Sequence, residues 1–343
     1  MNDRVLVTGA TGFIGHHVVS ALIEKGDQVT CLVRPTSDIS RLPTAQLSLR
    51  IGDITDPTTL EAALAGVRVV YHLAAALTAK SAQGFHSVNE VGTRNLAEAC
   101  ARSSSPPTLV VLSSLAAAGP NPKDRPRSEH DPSVPISNYG RSKLAGEQAA
   151  RALGGLIPLT IVRAPIVFGQ WDRDVFKMFR LVKLGIHLVP VAPNQRYSLI
   201  HATDLARLLV QAAADGERAA PANGKRVGPG SESSGLYYAA YDEQLTYADL
   251  GIQLAEALGR RRVRSLRVPN FLAWTVAAGF ELFARLSDQP PDIINFDKAR
   301  EGFAGSWSCS PAKAHEQLGF KPAQPLPVRL RQTAEWYRAQ GWL

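Results

Sequence analysis

The stretch VTGATGFIG, Val7–Gly15, decides the fold. It closes the apolar run RVLVT, Arg4–Thr8, and opens into FIGHHVVSALIEKG, which has helical periodicity, so its glycines sit where a strand becomes a helix. Gly9 suits the tight turn out of the strand, Gly12 lets backbone amides approach a pyrophosphate, and Gly15 permits close helix-to-strand packing. Thr11, Phe13 and Ile14 lie between these glycines and share their cofactor-facing position. The pattern predicts a dinucleotide site, with an unliganded turn as the alternative.

Outward from that turn, the runs QVTCLV, LSLRIGD, RVVYHLAA, TLVVLSS and LTIVRAP read as further strands, with helical stretches between most of them. Such alternation predicts an α/β fold, a doubly wound parallel sheet of the Rossmann kind covered by helices on both faces. The second half is richer in Pro, Gly and Ser, as in PANGKRVGPGSESSG, and reads as a smaller C-terminal substrate-binding lobe. The expected division gives residues 1–165 to the dinucleotide-binding domain, with 197–215 returning to it, and 166–196 and 216–343 to the lobe.

Composition limits the function classes. A chain of 343 residues with 45% hydrophobic content is long enough for a sizeable core. The net charge of +8 is mostly scattered, apart from GRRRVRSLR with Arg260, Arg261, Arg262, Arg264 and Arg267. Without zinc spacing or an aromatic RNA-binding motif, no nucleic-acid partner is expected. Cys31, Cys100 and Cys309 match no metal-ligand spacing, so no metal site is expected, and they read as reduced, buried thiols. The N-terminus goes straight into a strand with no secretory pattern, which predicts a cytoplasmic protein.

The residue that reads the adenosine ribose should follow the second strand. There, TCLVRPTSD offers Arg34, whose guanidinium favours the 2′-phosphate of NADP, with Ser37 and Arg41 as candidate helpers. Arg34 stacking on adenine or facing solvent is the alternative, and Asp38 keeps NAD open. Asp53, beside Ile54 at the end of the third strand, could accept from the adenine amino group or cap a helix near Pro57.

In NYGRSKLAGE, Tyr139 and Lys143 are four apart and share a helix face. Bringing a phenol of pKa about 10 near neutrality takes roughly 4 kcal/mol of differential stabilisation, to which a lysine ammonium contributes. Tyr139 could then give a proton to a carbonyl oxygen as hydride arrives, or take one as hydride leaves. Upstream, TLVVLSS ends in two serines at a strand end facing the cofactor side. Ser114 is preferred for orienting the substrate oxygen, with Ser113 as the alternative, and either could instead bond its own turn.

TGATGFIG, GDITD, YHLAA, NEVGTRNL, LSSLAAAG, YGRSK, VRAPIVFG and LIHATDLA follow one another in an order that resembles the extended short-chain dehydrogenase/reductase family over nearly all of the chain. The resemblance implies that Ser114, Tyr139 and Lys143 are catalytic, that Ala74 and Ala75 line the cofactor, and that Pro165, Ile166 and Val167 pass the nicotinamide. It also matches Asn89 to a helix asparagine with either a backbone-bonding or a proton-relay role, and implies dimerisation through helices flanking the active site. LAAAG lacks the tyrosine that many relatives place before this glycine. Family dehydratases place Asp-Glu after the catalytic serine or threonine, and sugar epimerases often carry RYFN where this chain has VRAPIVFG. The chain looks more like the dihydroflavonol-reductase and 3β-hydroxysteroid-dehydrogenase branch. The expected activity is therefore NADP(H)-linked interconversion of a secondary alcohol and a ketone, with a nucleotide-sugar epimerase or dehydratase, or a non-catalytic dinucleotide sensor, as alternatives. Arg196 could bind a substrate phosphate, with a salt bridge inside the lobe as the blander reading.

VPNFLAWTVAAGFELFARL, residues 268–286, is short for a membrane span and contains Glu281 and Arg285. It reads as an amphipathic helix of the lobe or a dimer contact in preference to a segment lying on an acidic bilayer. In the tail, Ser310 reads as an N-cap with Pro311 at the first helical position, Gly319 as a helix end, and Trp336 and Tyr337 as parts of a closing amphipathic helix.

Overall fold

The computed structural model describes residues 2–122, 125–190, 194–220, 233–268 and 296–343. The six predicted strands form as β1 (Arg4–Thr8), β2 (Gln28–Val33), β3 (Ser48–Ile51), β4 (Val69–His72), β5 (Thr108–Ser114) and β6 (Leu159–Ala164). Among the described residues the sheet has seven strands, because Leu236–Tyr238 adds to the free edge of β6. Its order from that edge is Leu236–Tyr238, β6, β5, β4, β1, β2, β3, and every neighbouring pair is parallel.

Parallel strands covered on both faces must be apolar on both. Accordingly β6 is buried throughout and β5 is buried except at its two ends. Alternate side chains feed two cores: Val5, Val7, Cys31, Val33, Val110, Leu112 and Val162 point to one side, and Leu6, Leu32, Val70, Leu109, Val111 and Ile161 to the other. Helix α1 (Phe13–Lys25) and the helix Ala202–Asp215 pack together over the first of these cores. Because strand order reverses between β1 and β4, a crevice opens beyond their C-terminal ends.

The seventh strand comes from the stretch 216–343 expected in the lobe. Three residues behind a Pro/Gly/Ser-rich stretch of sequence carry too little periodicity to identify a strand, yet Leu236, Tyr237 and Tyr238 are all buried. Outside the main sheet, Ile166–Phe168 pairs with Leu199–His201, Arg196–Tyr197 with Leu245–Thr246, and Ile186–Pro190 with Arg264–Val268. The helix after Ser310 begins at Ala312, one residue later than expected, although Ser310 Oγ still accepts the Ala312 N–H. Gly319 ends it in the left-handed conformation, and Leu326–Ala339 forms the closing helix. Residues 269–295, which include most of the apolar stretch 268–286, lie outside the described residues. Among the described residues no helix is long and apolar enough to cross a membrane, and no group of three or more His, Cys, Asp or Glu could hold a metal. Cys31, Cys100 and Cys309 are all free and buried.

Candidate active site

A cleft of about 1050 Å³ lies over the strand reversal. Every residue assigned to cofactor or catalysis from the sequence lines it: Gly9, Thr11, Gly12, Phe13, Ile14, Gly15, Arg34, Asp53, Ile54, Ala74, Ala75, Ser114, Tyr139, Lys143, Pro165 and Val167. Sequence separation is overcome by strand ends, since β1, β4, β5 and β6 all deliver their C-termini to this face.

The glycine turn fits a dinucleotide. Gly9 has φ +73°, and a Cβ there would stand 2.6 Å from Ala74 N. A Cβ on Gly15 would stand 2.2 Å from Gly9 O, so α1 sits against the turn as only glycine allows. Gly12 is the N-cap of α1, with no side-chain cap and no acidic residue in the first turn. The helix dipole and amides therefore remain available to an anion.

At the adenosine end Arg34 and Ser37 line the cleft, and Arg34 N–H donates to Ser37 Oγ at 3.0 Å. The two other candidates there are engaged elsewhere. Arg41 lies 4.5 Å over the Trp171 ring, and Asp38 accepts the Ser40 N–H within its own turn. Asp53 Oδ1 accepts from Thr55 N and Thr55 Oγ1, both at 2.8 Å. The helical turn at Pro57 is capped by Asp56, which accepts Thr58 N–H, so the capping alternative belongs to Asp56 and not to Asp53.

The helix Asn138–Arg151 carries Tyr139 and Lys143. Its N-cap Ser137 accepts the Gly140 N–H and donates to Glu301 Oε1 at 2.5 Å. Asp297 Oδ2 accepts the Asn138 and Tyr139 N–H groups at 2.8 and 3.2 Å. Two carboxylates from the helix Phe296–Phe303 thus sit at the positive end of the Tyr139 helix. No local signal in the sequence points to them, because they lie about 160 residues away in the chain.

Lys143 Nζ donates to Leu112 O at 2.9 Å, and burial pushes its pKa down to about 8, partly opposed by the Glu147 carboxylate. Glu147, one further turn along the same face, is the residue sequence reading missed. It accepts Ser113 Oγ–H at 2.5 Å and two Arg163 donors at 2.9 and 2.7 Å. Arg163 also reaches Ser133 Oγ at 2.8 Å. Burial alone would raise the Glu147 carboxyl, but Arg163 holds it below the usual range. The two serines consequently differ. Ser113 directs its proton to Glu147, whereas Ser114 Oγ accepts the Ala116 N–H at 3.1 Å and can still donate its proton into the cleft.

Asn89 adopts the backbone-bonding role. It accepts Ala76 N–H at 2.8 Å, donates to Ala76 O at 3.0 Å, and donates to Ser142 Oγ, which in turn donates to Tyr139 O. Behind it, Thr93 spends its one proton on Asn89 O, so His72 Nε2–H must donate to Thr93 Oγ1. His72 Nδ1 is then the acceptor for Thr8 Oγ1–H, and Thr8 receives the Ala74 N–H. Burial, reinforced by the Lys143 ammonium, pushes the His72 pKa down to about 3 and keeps this neutral tautomer. The chain of bonds fixes Ala74–Ala76 against the Tyr139 helix. Arg196 makes no salt bridge among the described residues and is not part of the cleft lining; it donates to the Gln244 carbonyl at 3.1 Å.

A parallel doubly wound sheet, a glycine turn fitted to a dinucleotide and a Tyr–Lys helix over one cleft define an NAD(P)-dependent enzyme of the extended short-chain dehydrogenase/reductase type. Residues 5–224 match the NAD dependent epimerase/dehydratase family, and the chain belongs to it. It is similar to a ceramide reductase of Caulobacter vibrioides, 30% identical over 99% of this chain and 96% of that protein. A mouse 3 beta-hydroxysteroid dehydrogenase type 7 is 24% identical over 97% and 95% of the two chains. Among solved structures, the NAD-bound dTDP-glucose 4,6-dehydratase DesIV of Streptomyces venezuelae superposes with a TM-score of 0.75 at 23% identity, covering 99% of this chain and 98% of that one.

Proposed function

We propose that the protein reduces a ketone on an apolar, lipid-like molecule to a secondary alcohol, or runs the reverse oxidation, with NADP(H). The observation that carries this reading is the charge of the cleft. Among the described residues lining it the cations are Arg34 and Lys143, both assigned to the dinucleotide, while Leu77, Val88, Leu115, Ile166 and Trp307 supply apolar wall. A nucleotide sugar brings its own diphosphate, which would need further cations or helix ends. The likeness to a reductase named for a lipid supports the same substrate class.

In this reading Ser114 donates a hydrogen bond to the ketone oxygen and aims it at Tyr139. Tyr139 transfers its phenolic proton to that oxygen as the carbonyl carbon is reduced. Lys143, charged below pH about 8, stabilises the resulting phenolate and holds ribose hydroxyls. When bound, the nicotinamide supplies or accepts the hydride. Glu147 and Asn89 touch none of the reacting atoms and act as positioning residues.

The test is a panel of long-chain and steroidal ketones with NADPH, alongside UDP- and dTDP-sugars. Absorbance loss with a ketone supports the reading. Conversion of a nucleotide sugar with no net cofactor change would replace it by an epimerase, and dinucleotide binding without any turnover by a sensor. For the cofactor, Arg34→Ala should weaken NADPH binding about 10- to 100-fold, from the loss of one or two charge-assisted hydrogen bonds, and leave NADH binding nearly unchanged. Fluorescence titration with both cofactors decides this, and equal losses would remove the 2′-phosphate role.

A further inference from the structure

We propose that the strand pair Ile186–Pro190 and Arg264–Val268 is a docking surface for an anionic lipid bilayer. The two strands are parallel, and Leu188 stands directly opposite Leu266. Paired residues share a face of a sheet, and these two leucines are 41% and 47% exposed. Leu184, in the turn before the first strand, is 73% exposed. Leu188 and Leu266 therefore stand side by side in solvent, with Leu184 exposed four residues before Leu188.

The sequence leading into and through the second strand carries charge of one sign. Arg260, Arg261, Arg262, Arg264 and Arg267 fall within eight residues, and no Asp or Glu occurs from Ala257 to Phe280. Arg260 is used structurally, donating to Lys183 O at the end of the helix Asp174–Lys183. Arg261, Arg262, Arg264 and Arg267 are exposed, and none makes a salt bridge among the described residues. Exposed leucines flanked by unneutralised arginines match a bilayer surface, where apolar tips enter the acyl boundary and guanidinium groups meet lipid phosphates. Nucleic acid would satisfy the charge but give the leucines nothing to bury against, and among the described residues no exposed aromatic ring accompanies them.

The patch is held firmly and placed near the cleft. His187 and Val189 point inward and are buried, and the His187 ring stacks on Tyr247 at 5.3 Å while its Nε2 meets Tyr247 O at 2.7 Å. Asp174 and Val175, at one end of the helix Asp174–Lys183, line the cleft, and Lys183 at the other end adjoins the patch. Ten helical residues span about 15 Å, so a bilayer resting on the leucines lies one short helix from the site that would take an apolar substrate.

The test is co-sedimentation of the full chain with phosphatidylcholine vesicles with and without phosphatidylglycerol. Binding should require the anionic lipid and fall away at high salt. The double variant Arg262→Glu with Arg264→Glu, the second on the same sheet face as Leu188 and Leu266, should lower the partition coefficient more than about tenfold, because each basic side chain near an anionic surface contributes about fivefold. Leu188→Ser with Leu266→Ser should also weaken binding. Both variants should keep wild-type dinucleotide affinity, which shows that they fold. Tyr139→Phe should bind vesicles like the wild type, so failure of the reductase reading and failure of this one are distinguishable. No sedimentation, equal sedimentation with neutral vesicles, or undiminished binding by both double variants would overturn the proposal. Tight binding of duplex DNA that vesicles do not displace would assign the patch to nucleic acid instead.

Discussion

Replacing Tyr139 with phenylalanine should lower kcat about a thousandfold while leaving fold and dinucleotide affinity close to wild type, since general acid–base catalysis contributes roughly 10²–10⁴-fold. That loss corresponds to about 4 kcal/mol of transition-state stabilisation. The change removes one oxygen and little packing: the ring contact with Phe85, 6.1 Å between centroids, survives it. The backbone bonds of Tyr139 to Asp297 and Ser142 do not involve the hydroxyl either. Steady-state NADPH oxidation, with a thermal melt as a control for folding, measures the effect. A well-folded variant with undiminished turnover would remove Tyr139 from the chemistry and with it the roles assigned to Ser114 and Lys143.

What could be read in advance follows from how local each signal is. The glycine turn was legible because strand, turn and helix are contiguous, and the clash distances at Gly9 and Gly15 are the steric content of that pattern. That Tyr139 and Lys143 share one helix face was legible from their four-residue spacing, and the structure brings both to the cleft. The same spacing continues to Glu147, and a charged Arg163 inside the apolar run LTIVRAP was a second signal, since buried charges occur in pairs. Taken together those two positions would have found the ion pair. The choice between Ser113 and Ser114 needed the structure, because successive strand residues face opposite ways and the sequence does not say which side holds Glu147. Asp297 and Glu301 were out of reach, since their partners are backbone amides and a serine from a distant helix. The capping reading of Asp53 fell only when Asp56 was seen to occupy the cap.

Glu147→Gln should destabilise the fold by about 3–5 kcal/mol, as expected when one member of a buried ion pair is removed and the other stays charged. Glu147 and Arg163 are each only 2% exposed, so water cannot replace the missing charge. The variant should also change the pH dependence of catalysis. In the proposed mechanism Lys143 acts in its charged form, its pKa is already down to about 8, and Glu147 is the neighbour that raises it. The other groups facing this site act differently: His72 stays neutral, and Arg163 and Arg151 are charges that hold the Glu147 carboxyl low. Wild-type kcat/KM should therefore decline as pH rises through about 8, and without Glu147 the decline should begin at lower pH. Pairing Glu147→Leu with Arg163→Met removes both charges and should recover much of the lost stability while the alkaline limb stays displaced. Urea denaturation and a kcat/KM profile on the same samples separate the two effects. If stability and pH profile recover together, Glu147 serves the fold alone; if the limb remains displaced in the stable double variant, Glu147 sets the charge of Lys143.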